Sequence, residues 1–252
     1  MWRFGAAFAG IVAVTPAVAG GAYPAAPPAS GSPLYSSSSI VGDAGLGAAW
    51  LSGPNAGAAA GNVRVNVPWA SGWNEEVETA GVLEFKGVSA GGVFTHTYYK
   101  TSGWAAGAEV GVADLNGQGL VPVGVEGVVF LPSAMISGQA IYNPSISKFG
   151  FPSFWTASIE GSYYFEPNTK LSGAIFWSDI KFLSSDVWIG QVSLEHRWAG
   201  TPFSTFLTAL VPNHNVWAFG GGVRVFFDQP NATLHSHDYD VPFHSALSQP
   251  LL

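Results

Sequence analysis

The stretch FPSFWTASIEGSYYFEPNTKLSGAIFW, residues 151–177, carries two runs of alternating side chains around one tight turn. Odd positions from 155 to 165 are apolar, aromatic or Gly, and the even positions between them are mostly polar. After the turn at 167–169 the alternation resumes and continues to position 177. A period of two indicates β-strands whose two faces meet different solvents. Because the runs are long and aromatic residues flank their ends, we predict a transmembrane β-hairpin with lipid outside and a wet lumen inside.

The composition of the chain is unusual for a soluble domain. It contains no Cys, which excludes a disulfide framework and a thiolate metal site. Charged residues make up only 10% of the 252 residues, whereas they form roughly a quarter of an ordinary soluble domain. The acidic balance, with 9 Lys and Arg against 16 Asp and Glu, argues against nucleic acid as a partner.

The first 39 residues have the pattern of an export leader. Arg3 precedes an apolar run at 4–14, and Ala17-Val18-Ala19 has the small-residue spacing of a cleavage site, so residues 1–19 are predicted to be a signal peptide. A membrane anchor is the less favoured alternative, because the apolar run is short and ends at Pro16. Residues 20–39 are rich in Pro, Ala, Gly and Ser and are predicted to be a flexible leader rather than a lumen plug.

Alternating segments recur from residue 40 to residue 227, and no later stretch is a candidate membrane helix. We therefore predict an all-β fold, a transmembrane antiparallel up-and-down β-barrel of about twelve strands. Ten strands are the alternative if the short segment 62–67 lies outside the membrane. An even number of strands places both termini on one side, expected to be the periplasm. The twelve predicted strands are 40–51, 62–67, 73–85, 92–100, 104–113, 120–131, 136–143, 154–166, 170–178, 187–198, 203–211 and 216–227.

Tryptophan residues cluster at both ends of the predicted strands. Such clusters are typical of the two aromatic girdles that mark the membrane–water interfaces of a barrel, with outer-membrane lipid as the surrounding partner. The predicted girdle residues are Trp50, Trp73, Trp104, Trp155, Trp177, Trp188, Trp198 and Trp217.

The last predicted strand has the most specific pattern. From Trp217 to Phe227 every odd position is aromatic, Val or Gly, and the strand ends in Val-Phe-Phe. This strand resembles the closing strand of bacterial outer-membrane β-barrel proteins. The resemblance implies recognition of positions 217–227 by the barrel-insertion machinery. In that family the aromatic is usually the last residue of the chain, whereas here residues 228–252 follow.

Residues 228–252 are polar and contain Pro, and we predict a periplasmic tail. His235, His237 and His244 are candidate weak ligands for a divalent metal. A solvated tail is the favoured interpretation, since no rigid scaffold is expected to orient these imidazoles, and no metal site is therefore assigned.

The polar faces of the strands are predicted to line the lumen, where acids outnumber bases. An acidic lining favours cations, so the leading hypothesis is a porin-like passive channel for small polar or cationic solutes. The alternative is a lumen filled by ion pairs, in a non-conducting structural or partner-binding barrel. The candidate lining residues are Asp43, Arg64, Glu76, Glu78, Glu109, Glu126, Glu160, Glu195, Arg197 and Arg224.

Enzymatic function is not expected, and no cofactor is implied. Residues 87–91 match the G-x-S-x-G pattern of serine hydrolases, but that pattern needs a helix behind it and a strand-like run follows instead. Ser193 and His196 are three residues apart on a predicted strand, so their side chains face opposite ways.

Overall fold

The computed structural model describes residues 40–52, 56–84, 89–146, 152–179, 186–212, 217–227 and 232–245. The predicted signal peptide and leader lie outside these ranges. The described residues form thirteen strands and one helix: β1 (Val41–Leu51), β2 (Ala56–Ala70), β3 (Trp73–Glu84), β4 (Ser89–Lys100), β5 (Trp104–Leu115), β6 (Gln118–Leu120), β7 (Val123–Leu131), β8 (Ala134–Asn143), β9 (Phe154–Glu166), β10 (Thr169–Ser178), β11 (Val187–Arg197), β12 (Phe203–Pro212), β13 (Ala218–Phe226) and α1 (Leu234–Asp240).

The strands close into a ring of antiparallel neighbours. Strand β1 pairs with β2 on one side and with β13 on the other, and the pairing of β4 with β5 completes the circuit. Closure pairs the backbone groups of both edges, which a strand surrounded by lipid requires. The predicted up-and-down barrel is confirmed. It has twelve strands around its circumference, with β6 as a short extra strand, so the ten-strand alternative is wrong.

The extra strand arises from a break in the predicted segment 120–131. Both β6 and β7 pair with β5, and they are separated by Val121 and Pro122. Proline has no backbone N–H to donate to the ladder, so regular pairing is interrupted there. At the hairpin between β5 and β6, Asn116 and Gly117 adopt φ angles of 53° and 79°. Two positive φ angles are the requirement of a type I′ turn, which explains the Asn-Gly pair.

The second strand is longer than its alternating part. It covers Ala56–Ala70 rather than residues 62–67. Positions 56–61 are only Ala and Gly. Small residues carry no polar–apolar contrast, which is why the period of two could not reveal this half of the strand.

The two faces of the barrel are inverted relative to a soluble protein. Large apolar side chains stand outward and exposed, such as Leu46 at 63%, Val125 at 64% and Ile159 at 57%. The charged side chains of Arg64 and Glu78, by contrast, are fully buried inside. Apolar residues outside and charged residues inside are the arrangement that a membrane-spanning barrel needs.

Aromatic side chains pair at both ends of the barrel. At one end, Trp50 lies 5.2 Å from Trp217 and Trp177 lies 6.4 Å from Trp188, between ring centroids. At the other end, Trp73 lies 6.2 Å from Trp69. Trp73, Trp104, Trp155 and Trp198 are exposed on the outside as well, and Trp177 is half-buried.

The C-terminal residues 232–245 lie inside the barrel. Thr233 caps α1 through a reciprocal pair of hydrogen bonds with Ser236. Leu234 and Phe243 are buried in a cluster with inward-facing Tyr98. The prediction of a solvated tail is therefore wrong for these residues, because they bury apolar side chains and pair with charges on the inner wall. Among the described residues, no helix is long and apolar enough to cross a membrane.

Candidate functional site

The inner wall of the barrel carries a ring of charged side chains that also contact residues 232–245, called here the C-terminal segment. Alternation along each strand turns the even positions of β3 and β9 inward, as it does position 43 of β1. The structure buries nine of the predicted lining residues and leaves Glu160 half-buried. The nine are Asp43, Arg64, Glu76, Glu78, Glu109, Glu126, Glu195, Arg197 and Arg224.

The first anchor of the C-terminal segment is an arginine on β2. Arg64 and Asp43 are cross-strand partners, and their side chains form a two-pronged ion pair with N–O distances of 2.5 and 3.3 Å. Arg64 Nη1 also donates to the carbonyl oxygens of Val241 and Phe243, at 3.2 and 2.9 Å. The imidazole of His237 lies 2.8 Å from the Asp43 carboxylate. One buried ion pair thus holds the segment at three residues.

The second anchor joins α1 to the opposite side of the wall. Lys170 Nζ lies 2.7 Å from Asp238 Oδ2, and the hydroxyl of Tyr164 donates to the same oxygen at 2.8 Å. Lys170 and Arg224 each lie 3.3 Å from the carboxylate of Glu195. Burial by itself raises the pKa of the Asp238 carboxyl, but the cations Lys170 and Arg224 outweigh it and hold that pKa well below its usual range.

The third anchor lies at the end of the barrel where the strands are joined by short turns. Asp240 pairs with Lys100 at 2.9 Å, and the Lys100 ammonium lies 4.0 Å from the ring centroid of Tyr239. The Tyr239 hydroxyl donates to the carbonyl of Thr101 at 3.0 Å, and the backbone N–H of His235 donates to Pro167 O at 3.0 Å. The C-terminal segment therefore enters the lumen from this end.

The deepest described part of the C-terminal segment contacts acidic residues of β3. The backbone N–H of Ser245 donates to Glu78 Oε2 at 2.6 Å. Arg64 Nη1 lies 3.1 Å from His244 Nε2, which accepts its hydrogen bond. Burial first, and then the charge of Arg64, lowers the pKa of the His244 imidazole well below its usual range.

Other charges near His244 modify this effect without reversing it. The carboxylates of Glu78 and Asp43 raise the pKa of His244, and Arg224 lowers it further. Docking of the C-terminal segment therefore favours the uncharged form of the imidazole.

The C-terminal segment leaves little free space beside it. Two cavities between it and the wall strands β8 to β13 have volumes of about 20 Å³ each, which is room for a single water molecule. Glu160 and Lys170 line both cavities. At these two places, among the described residues, side chains fill the space between the C-terminal segment and the wall.

Neither hydrolase-like pattern, residues 87–91 or the pair Ser193 and His196, has the geometry of a catalytic site in the described residues. Ser89 begins β4, so a strand follows it and not a helix. His196 contacts the Thr169 hydroxyl at 2.9 Å and packs against Trp198, and Ser193 pairs across the sheet with Ser172. These contacts account for His196 as a residue at the end of a strand.

Some residues of the lumen network lie outside the ten candidate lining residues. His96 is fully buried among carboxylates. The signal was present, because His96 is at an even position of β4, in phase with the buried Phe94 and Tyr98. The segment at 232–245 had a weaker signal, the capping residues Thr233 and Ser236 close to apolar Leu234, Val241 and Phe243.

A closed barrel with an apolar exterior and a charged interior defines a transmembrane β-barrel of the outer-membrane type. The KdgM porin, solved alone and in complex with disordered oligogalacturonate, superposes with a TM-score of 0.56 at 10% identity, over 75% of this chain and 100% of that chain. A structure from work on in-meso crystallization of membrane proteins gives a TM-score of 0.54 at 10% identity, over 81% of this chain and 96% of that one. At this identity the likeness establishes the fold alone. The sequence matches no protein-family model and no curated protein.

Proposed function

We propose that this protein is an outer-membrane, porin-like passive channel for small polar or cationic solutes. The observation that carries the proposal is the closed twelve-stranded ring with exposed apolar residues outside and buried charges inside. The structural neighbours with TM-scores above 0.5 include the KdgM porin, and the solution of that protein with an oligogalacturonate supports small polar solutes as the class. No covalent step is involved, and selectivity comes from bore and electric field.

The charge of the wall supports cations over anions. Among the described strand residues, six carboxylates and four cations are buried on the inner face. The carboxylates that ionise on this face attract cations and repel anions in a low-dielectric lumen. The carboxylates are Asp43, Glu76, Glu78, Glu109, Glu126 and Glu195, and the cations are Lys170, Arg64, Arg197 and Arg224.

The C-terminal segment obstructs the path that the proposal requires. Its three anchors hold it across the lumen, so passage of a hydrated solute needs the segment to leave the wall. The protein is therefore a channel with a low open probability at rest, and a permanently filled barrel is the outcome that would replace this proposal.

The proposal includes the location of the protein, which is the outer membrane. Residues 1–19 act as the export signal, outer-membrane lipid contacts the exposed apolar belt, and the barrel-insertion machinery reads Trp217 to Phe227. The C-terminal segment enters from the end with short turns, which in such barrels faces the periplasm. Solutes arriving from the outside thus enter at the opposite end of the barrel and meet the C-terminal segment afterwards.

Single-channel recording tests the proposal. The chain from Gly20 to Leu252 is refolded in detergent, and folding is checked by heat-dependent migration in gels. In a planar bilayer with a salt gradient we expect brief discrete openings with a reversal potential of the sign that cation preference gives. Some variants carry mutations that weaken the contacts between the C-terminal segment and the wall. If the folded barrel shows no openings even in these variants, the proposed channel function is wrong.

A further inference from the structure

Four carboxylates and one imidazole from four wall strands meet in the lumen next to Ser245, the last described residue of the C-terminal segment. His96 on β4 is the cross-strand partner of Glu76 on β3 and of Glu109 on β5. Glu126 on β7 lies opposite Gly107, two residues from Glu109 on the same face. Glu78 is the next inward residue of β3. Regular antiparallel pairing thus brings all five side chains into one group.

Several oxygens in this group have no hydrogen-bond donor. Among the described residues, none donates to either oxygen of Glu109 or of Glu76, or to Glu126 Oε1. Glu109 and Glu76 are nevertheless at least 99% buried. The nearest guanidinium is that of Arg64, whose Nη1 lies 3.9 Å from Glu76 and whose Nη2 is paired with Asp43 at 2.5 Å. Buried carboxylates without donors are unfavourable unless a cation or a proton neutralises them.

The atoms lie at the separations that one metal ion imposes. One ligand atom each from His96, Glu109 and Glu126 falls within 4.8 Å of the other two. His96 Nδ1 is 2.9 Å from Glu126 Oε2 and 3.9 Å from Glu109 Oε2. Two ligands on a tetrahedral Zn²⁺ at about 2.1 Å are about 3.4 Å apart. The two pairs that include His96 therefore need changes of about 0.5 Å, and the Glu109–Glu126 pair, within 4.8 Å, needs a closing of at most about 1.4 Å. We propose that His96, Glu109 and Glu126 bind a divalent transition-metal ion inside the barrel.

Glu78 acts as a positioning residue for this site. The second ring nitrogen of His96, Nε2, lies 3.8 Å from Glu78 Oε2. A metal-bound imidazole commonly donates its other N–H to a carboxylate, which fixes the orientation of the ring. Glu78 is itself held by Asn62 Nδ2 at 3.0 Å and by the Ser245 N–H at 2.6 Å. The C-terminal segment therefore braces the residue that orients the metal ligand.

The C-terminal segment also covers the site with an aromatic ring. Phe243 stacks on His96 with an interplanar angle of 11° and a centroid distance of 6.3 Å. One nitrogen and two carboxylate ligands, sealed in this way, suit Zn²⁺ and similar ions. Ca²⁺ is disfavoured, since it takes about 6–8 oxygen ligands.

Metal content of the folded full chain tests the proposal directly. The refolded protein is stripped with a chelator, incubated with Zn²⁺, passed through gel filtration and analysed by elemental mass spectrometry. We expect about one Zn²⁺ per chain, and tenfold excess Ca²⁺ should not displace it. Glu109→Gln and Glu126→Gln should each weaken binding at least tenfold, and Glu78→Gln by about 10–100-fold.

A control variant on strand β3 distinguishes binding at this site from nonspecific binding of Zn²⁺ to acidic residues. Glu75→Gln changes an outward-facing glutamate beside Glu76 and should keep full Zn²⁺ binding. Absence of bound Zn²⁺ from the folded wild-type chain would overturn the proposal without any variant. Equal binding by wild type and by both ligand variants would also overturn it, because the ion would then lie at the histidines of residues 235–244 or on the surface.

Discussion

Replacing Asp238 with Asn should release the C-terminal segment from the wall. The Asp238 carboxylate sits 2.7 Å from Lys170 Nζ and 3.8 Å from Arg224, and all three side chains are more than 90% buried. Removing one partner of a buried ion pair costs about 3–5 kcal/mol. The low end of that range applies here, because Lys170 keeps Glu195 at 3.3 Å. That cost falls only on the docked state, since the freed lumen can admit water to Lys170. With about 1.4 kcal/mol per tenfold change, the undocked population should rise at least about 100-fold.

Liposome swelling measures this change as a rate of solute entry. We expect proteoliposomes with Asp238→Asn to admit small polar solutes much faster than wild type. Asp114→Asn is the matched control, because Asp114 accepts a hydrogen bond from Gly117 at the β5–β6 turn, outside the C-terminal segment's contacts. Equal rates for wild type and Asp238→Asn, with both proteins folded, would refute the reasoning that this ion pair keeps the lumen closed.

Three further predictions concern stability, pH and selectivity. Arg64→Met leaves Asp43 buried without its main partner, so the free energy of unfolding should fall by about 3–5 kcal/mol, seen as a lower urea midpoint. Docking lowers the pKa of His244, so the undocked segment binds more protons than the docked one below pH about 6.5. The free energy that favours docking should therefore decrease as the pH falls from about 7.5 to 5. Protease cleavage of the C-terminal segment should accordingly quicken at low pH, and His244→Gln should reduce that pH dependence; cleavage that slows at low pH would contradict this. Glu160→Gln removes a carboxylate that lines the two cavities of the lumen, so the reversal potential in a salt gradient should shift toward zero. An unchanged reversal potential would mean that Glu160 does not contribute to cation selectivity.

The barrel was predictable because its strands face lipid on one side and a polar lumen on the other, so apolar and polar side chains alternate along each strand. Strand β9 shows this well, with exposed Trp155, Ile159 and Tyr163 and buried Tyr164 on opposite faces. Where side chains carry no contrast, as in the Ala and Gly positions of β2, the same rule gave a strand that was too short. The predicted number of strands was still correct, because it depended on the number of turns and not on the length of each strand.

The contents of the lumen were not predictable in the same way. Burial of His237 and Asp238 depends on complementary charges such as Asp43 and Lys170, which lie 194 and 68 residues away in the chain. A pattern along one segment cannot report a partner at that separation. The polar composition of residues 228–252 was interpreted as solvation, whereas the surrounding wall is itself charged and satisfies those groups.

Chemical labelling in lipid tests most directly whether the C-terminal segment closes the barrel. The natural chain has no Cys, so Ser245→Cys introduces a single thiol at a fully buried position, and Ser133→Cys places one at an exposed turn. We predict that a bulky maleimide reacts with position 245 at least about 100-fold more slowly than with position 133, and that adding Asp238→Asn removes most of this protection. Equal labelling of both positions in the folded wild-type barrel would contradict a lumen occupied by its own C-terminal segment.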